Sequence, residues 1–316
     1  MSGHKNHSSP PPFDSICRLT DRKDAKEVWF LNEVVRVVET RLNSPLLMAE
    51  IAECTNFSER WLYGRFKFLT GYSVAQYTRR RKLTLAAALL RHTRLILTDI
   101  AVMYGFSSLQ QFSRAFRNQF HCAPSQYRYA DVWDMSYSQP ILFYTRKKIS
   151  CRFFSHKNEA SIPHLSQLKK IRINLGEDYI NEYHNNSFTY NKSLYEALIS
   201  LYEKKRHMTH YFITGELIPG HHSDAELLYH TELMPPLTSH LTYLPTGKYF
   251  EINTSGTREE FAKIHMYDCF NTLSLNRCLL RRKPMYTFFQ LLEGNVYELK
   301  IIYPCANELL PNTLES

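Results

Sequence analysis

At 316 residues and 44% hydrophobic, the chain is long enough for two compact domains and too apolar to be wholly disordered. No apolar run approaches the roughly 18 residues of a membrane span, and the opening MSGHKNHSSPPPFDS lacks the apolar core of a secretory signal. Seven scattered cysteines without a C-x-x-C suit reduced thiols in a cytoplasm. The net charge of +9 belongs to one part of the chain. Residues 1–130 hold 19 Lys+Arg against 10 Asp+Glu, whereas residues 131–316 hold 20 of each. A basic surface of that kind attracts polyanions.

Residues 1–27 read as a loose tail. VWFLNEVVRVVETRL (28–42) is amphipathic and stops at NSP, where Ser44 is expected to cap the next helix and Pro45 to start it. EIAECTNFSERWLYGRFK (50–67) then predicts a short helix, a tight turn at Asn56 and a second helix capped by Ser58. SVAQYTRRRKLTLAAALLRHT (73–93) contains no Gly or Pro and predicts one long helix. DIAVMYGFSSLQQFSRAFR (99–117) repeats the earlier unit: Ile51-Ala52 lies over Ile100-Ala101, Asn56-Phe57 over Gly105-Phe106, and Phe66-Lys67 over Phe116-Arg117. HCAPSQYR (121–128) echoes TGYSVAQY (70–77) at the same offset. This is a helix-turn-helix written twice, at about 46–68 and 96–119, inside an all-α domain spanning 28–130.

The second helix of the second copy carries the chemistry. Counted four at a time, Phe112, Phe116 and Phe120 share a face with Leu109 beside them, which is ordinary core. Gln110, Arg114 and Arg117, with Gln111 and Asn118, form another face without any acidic residue. In a helix-turn-helix the second helix enters the major groove. There Gln pairs with adenine N6 and N7, and Arg with guanine O6 and N7.

The stretch DIAVMYGFSSLQQFSRAFRNQFHCAPSQYR resembles the signature of the AraC/XylS family of bacterial transcription regulators, and the resemblance covers about 30–129. It is similar to the Rob type, which places its DNA-binding domain first and a larger domain after it. The resemblance implies an activator that binds double-stranded promoter DNA and contacts RNA polymerase, with no cofactor and no metal. LTLAAALLRHTRLILTDIAVMYGF further resembles regulators of fimbrial or capsule operons, a hint about targets; Rob-type relatives imply a stress or multidrug regulon. Base-reading positions fall on Gln110, Gln111 and Arg114 in the second copy, and on Arg60, Tyr63 and Gly64 in the first. Gly64 departs from the family, having no side chain with which to read a base, so Trp61 and Arg65 are expected to share the work. Phosphate contacts are expected from Arg79, Arg80, Arg81, Lys82 and Arg117.

Residues 131–140 read as a linker and 141–305 as an α+β domain. Its β-prone runs are THYFITGE, AELLYHTEL, GKYFEINTSG, MYTFFQLLEG and NVYELKIIYP, with helices expected at 192–205 and 258–275 and a tail at 306–316. From Gly247 to Pro304 the chain resembles the GyrI-like effector domain. That implies a small-molecule effector held by Glu298 on the last strand, with Tyr249 and Tyr286 nearby. His207 and His210 have H-x-x-H spacing, but no Cys or acidic residue completes a zinc set at a familiar interval. The alternative is an AraC-type module fused to a GyrI-like small-molecule-processing enzyme with Glu298 as base. No nucleophile elbow or second placed acid supports it, and no P-C-H-R motif supports an alkyl-DNA repair enzyme, so the reading adopted is a regulator and not an enzyme.

Overall fold

Among the described residues, seven helices fill 25–129: α1 (Ala25–Glu39), α2 (Met48–Thr55), α3 (Glu59–Thr70), α4 (Val74–His92), α5 (Leu97–Met103), α6 (Leu109–Phe120) and α7 (Pro124–Tyr129). The structure, a computed structural model, describes residues 25–44, 46–142, 149–158, 168–174, 200, 210–233, 244–257, 260, 264–292 and 294–307. Of the tails expected at 1–27 and 306–316, residues 1–24 and 308–316 lie outside the described residues, as do Pro45, His207 and the expected helix at 192–205 (Ser200 apart), whereas residues 25–27 already belong to α1. Among those described, no helix is long and apolar enough to cross a membrane.

The repeat is built from the same local devices used twice. Asn56 (φ 56°) and Gly105 (φ 72°) make the left-handed turn between the paired helices. The following amide closes it in each copy, Phe57 N donating to the Ala52 carbonyl (3.2 Å) and Phe106 N to the Ala101 carbonyl (2.9 Å). Ser58 and Ser108 cap α3 and α6, accepting from Trp61 N (3.4 Å) and Gln111 N (3.1 Å). Gly71 and His121, both left-handed, end those helices. Gln76 and Gln126 then reach back to the amides of Ser73 (2.9 Å) and Ala123 (3.0 Å) to start α4 and α7. Beneath each second helix an aromatic pair closes the core, Phe66 with Tyr77 and Phe116 with Tyr127, at 5.8 and 5.3 Å between centroids. The start of α2 differs from expectation. Leu47 is its N-cap, and the Glu50 carboxylate accepts the Leu47 amide (2.8 Å), while Ser44 Oγ donates backwards to the Arg41 carbonyl.

Arg81, expected at a phosphate, is instead buried at 1% exposure and must be withdrawn from the DNA set. The helical period explains it: Tyr77, Arg81 and Thr84 fall on the inward face of α4, and Arg79 falls outward. The Arg81 guanidinium donates to both Glu39 oxygens (2.8 and 3.1 Å) and to the Gln139 carbonyl. Tyr77 Oη shares the same carboxylate (2.7 Å).

Residues 131–140, expected as a linker, are also part of the packed structure. Strand β1 (Val132–Asp134) pairs antiparallel with β7 (Leu279–Arg281), Met135 is fully buried, and Gln139 is 3% exposed. The remaining strands are β2 (Ser150–His156), β3 (Lys169–Asn174), β4 (His210–Pro219), β5 (Asp224–Leu233), β6 (Gly247–Gly256), β8 (Met285–Leu291) and β9 (Tyr297–Pro304). They form an antiparallel sheet in the order β2-β6-β9-β8-β4-β5-β3. One face, with Phe250, Ile252, Leu299 and Ile301, joins the same apolar core as the helices. The other holds a smaller cluster of Leu244, Tyr249, Phe288 and Ile302. The helix expected over 258–275 is π-helical at Ile264–Cys269 before continuing as α8 (Phe270–Leu275). Hydrogen bonds tie the halves together, Arg94 N donating to the His222 carbonyl (2.9 Å) and Ile141 N to the Asn271 side-chain Oδ1 (3.0 Å).

Removing Arg81 would leave the Glu39 charge buried. Arg81→Ala is therefore expected to cost about 3–5 kcal/mol, while Arg79→Ala at an exposed position stays within about 0.5 kcal/mol. Urea unfolding of the full chain measures both. His92, at the end of α4, generates a second prediction. Burial, reinforced by the Arg91 charge, pushes its imidazole down to about 4. The folded chain then binds fewer protons than the unfolded chain between about pH 4 and 6.5, so this contribution to stability is present at neutral pH and is lost as pH falls through that window. The slope should reach at most about 1.4 kcal/mol per pH unit, and His92→Phe should flatten it. Urea midpoints at pH 7 and pH 5 for both proteins provide the comparison.

Candidate nucleic-acid interface

On α6 the buried side chains are Phe112, Ala115, Phe116, Gln119 and Phe120. Gln110, Gln111, Arg114, Arg117 and Asn118 are exposed. Ser108 caps the helix through the Gln111 amide. Gln110, Arg114 and Arg117 sit at i, i+4 and i+7, one strip along the helix. No intramolecular hydrogen bond or ion pair holds these three side chains among the described residues. Gln111 differs. Its Oε1 accepts from Ser107 N (3.0 Å) and Ser107 Oγ (3.1 Å), so the oxygen a paired adenine contact needs is engaged in bracing the turn. Gln111 is better described as the brace that sets the entry of α6.

The corresponding strip on α3 is Arg60, Tyr63, Gly64 and Lys67, all exposed. Lys67 was missed as a site residue, although it lies over Arg117 in the repeat and seven positions after Arg60. Trp61 is 44% exposed, but its ring stacks on Phe57 at 4.4 Å and meets Phe30 edge-on at 4.7 Å. Arg65 is ion-paired with Glu27 of α1, and its guanidinium lies over the Phe68 ring. Both side chains tie α3 to its surroundings. A Cβ built on Gly64 would meet nothing within 4 Å, so the glycine leaves an open notch in the strip.

The basic run at the start of α4 is divided by the helix. Arg79 is exposed. Arg80 is half-buried, donating to Gln139 Oε1 (3.0 Å) over the Tyr72 ring. Lys82 turns to the Ser44 carbonyl (3.3 Å), and burial lowers its ammonium pKa. Of this run, only Arg79 has a side chain standing fully outward.

The three residues expected around an effector do not come together. Tyr249 and Tyr286 meet edge-on at 6.3 Å in the small apolar cluster, and Tyr249 Oη donates to the Pro245 carbonyl. Glu298 is half exposed and 3.9 Å from Lys300. Ser255 pairs with Glu298, and Tyr249 pairs with Pro304 six residues along the same ladder. At ~3.4 Å per residue, Glu298 and Tyr249 are separated by roughly 20 Å. Such a span exceeds one small-molecule site, because alternation along a strand reports the face a residue occupies and not its place along it.

A family profile described as a helix-turn-helix domain matches residues 51–130. The chain is 36% identical over 116 residues to the transcriptional regulator Rob of Salmonella typhimurium, a match covering 37% of this chain and 40% of Rob. It is 34% identical over 99 residues to the regulatory protein SoxS of Escherichia coli, covering 31% of this chain and 92% of SoxS. Aligned regions thus span about half or less of the longer relatives. A solved transcriptional regulator from Chromobacterium violaceum, with an AraC-type DNA-binding domain, is 31% identical over 33% of this chain and 94% of that one, at a TM-score of 0.32. SoxS is matched almost end to end by the doubled helix-turn-helix, and with that match the chain belongs to the AraC/XylS family of DNA-binding transcriptional regulators.

Proposed function

We propose that the chain is a sequence-specific activator that grips one DNA duplex as a single molecule, α3 and α6 entering successive major-groove segments about 34 Å apart. The observation that carries this reading is the exposed, acid-free strip of Gln110, Arg114 and Arg117 on a second helix, matched within the same chain by Arg60, Tyr63 and Lys67. In this proposal Gln110 reads adenine and Arg114 reads guanine. Arg79, Lys67 and Arg117 hold phosphates and set the register. The first copy contributes a narrower readout through Arg60 and Tyr63. RNA polymerase is the proposed partner in activation, in keeping with relatives that are named as transcriptional regulators. The sheet half, proposed to be GyrI-like, senses a small molecule.

Arg114→Ala should lose about 1–3 kcal/mol on the preferred site and relax preference at one base pair. Arg79→Ala should weaken all sequences alike and reduce the salt slope by about one. Equal losses for both variants on matched and scrambled duplexes, measured by fluorescence anisotropy, would remove Arg114 from base reading. Gly64→Ala should stabilise α3 by up to about 1 kcal/mol, since helix propensity favours Ala and the site is open. If the glycine only leaves a gap, DNA affinity is unchanged. A clear loss of affinity alongside the stability gain would mean that the backbone there approaches DNA closely.

A further inference from the structure

Near the end of α6, Gln119 turns inward and is only 6% exposed. Its amide nitrogen stands 3.2 Å from each of three acceptors: the Arg80 carbonyl and Thr84 Oγ1 of α4, and the Tyr137 carbonyl. The same stretch of chain is held in three further ways. Gln139 N donates to Thr84 Oγ1 (2.8 Å), and Arg80 donates to Gln139 Oε1 (3.0 Å). The Tyr137 ring meets the His121 ring edge-on, 4.5 Å between centroids, and His121 is the left-handed residue that ends α6.

Residues 137–139 are thus bonded to both α4 and α6, although the matched helix-turn-helix region ends at residue 130. Apolar packing through Phe112, Phe116 and Phe120 holds α6 on the core, but such packing is non-directional. Hydrogen bonds add direction. Two of the three groups facing the Gln119 nitrogen are carbonyls, which only a donor satisfies. The leverage is large. With 12 residues α6 is about 18 Å long, so a pivot of about 10° at His121 moves its first turn by about 3 Å. That displacement is close to the rise of about 3.4 Å between successive base pairs.

We propose that Gln119 and Tyr137 are positioning residues for DNA reading. Together they fix the tilt of α6 on α4, and with it the place along the duplex where the first turn of α6 arrives. The assignment rests on the reading of the chain as a single-molecule grip on two groove segments. It adds that residues beyond the second helix pair set how strictly the separation of those segments is measured.

The test uses the full chain and duplexes that the wild type selects from a random-sequence pool. One base pair is inserted or removed between the two segments protected in footprinting, and affinity for the parent and both altered duplexes is measured by fluorescence anisotropy. The wild type should lose about tenfold or more on either altered spacing. Gln119→Met keeps the length of the side chain and deletes the donor, while Thr84 Oγ1 retains Gln139 N. Tyr137→Ala removes the ring from His121 at a partly buried position. Both variants should bind the parent duplex more weakly and penalise altered spacing by about threefold or less. Tyr137→Phe keeps ring and carbonyl and should match the wild type. If Gln119→Met fails to fold, Tyr137→Ala decides. A full spacing penalty in the variants, or an equal loss on all three duplexes, would leave both residues structural and overturn the proposal. A wild type indifferent to spacing would instead sink the two-segment grip itself, and this assignment with it.

Discussion

Arg81 and Glu39 meet inside the helical half with 1% and 3% of their side chains exposed, and α1, α4 and the chain around Gln139 converge on them. Taking two charges out of water is costly, and their attraction offsets that cost only when the remaining donors and acceptors are also satisfied. Here they are: the carboxylate accepts from Arg81 and Tyr77, and the Gln139 carbonyl accepts from Arg81. The pair is weak evidence for extra stability against an apolar replacement. It is stronger evidence for a single arrangement, because any other docking of α1 on α4 strands a charge. The adjoining bonds follow from it. Gln139 N donates to Thr84 Oγ1 (2.8 Å), and Leu142 N donates to Tyr77 Oη (3.4 Å), so the chain leaving the helical half runs along α4 instead of away from it.

Two copies of one motif hold their second helices by the same means and then present different chemistry. Turn, cap and terminating left-handed residue are equivalent in α3 and α6, so each second helix is presented in the same way to its own partner helix. On α6 the outward strip is polar and unencumbered. On α3, Trp61 is held in an aromatic stack and Arg65 by Glu27, and Gly64 contributes no side chain. The same scaffold therefore presents two chemically unequal outward faces.

What could be read in the sequence was what is decided locally. The turns at Asn56 and Gly105, the caps at Ser58 and Ser108 and the long α4 each depend on residues within a few positions of one another, and these are present. The fate of the basic run was not legible. Arg79 and Arg81 are chemically alike, and only the partner Glu39, 42 positions away in the chain, separates a solvated arginine from a buried one. The three-residue β1 was hidden for the same reason, since its pairing partner is Leu279–Arg281. Lys67, by contrast, was available to a count of seven from Arg60 and to the repeat itself. In the sheet, alternation identified strands but could not say that Glu298 and Tyr249 occupy opposite ends of one ladder.

Contact between the halves is organised around α4. With 19 residues it extends about 28 Å as a single hydrogen-bonded rod, anchored at its start beside the first helix pair and at its end beside the sheet. Its last turn carries Arg91, which donates to the carbonyls of Tyr127 and Ala130 and so fastens α7 beneath the second helix pair. Polar ties across to the sheet half among the described residues include Arg94 N to the His222 carbonyl and the Arg282 guanidinium to the Arg128 carbonyl. Bonds of that kind are each worth only about 1 kcal/mol net. Apolar packing carries the rest of the contact, because the sheet face with Phe250, Ile252, Leu299 and Ile301 shares one core with Leu85 and Leu89 of α4. The two helix pairs are joined through this one rod, so the spacing of α3 and α6 is set by α4 itself.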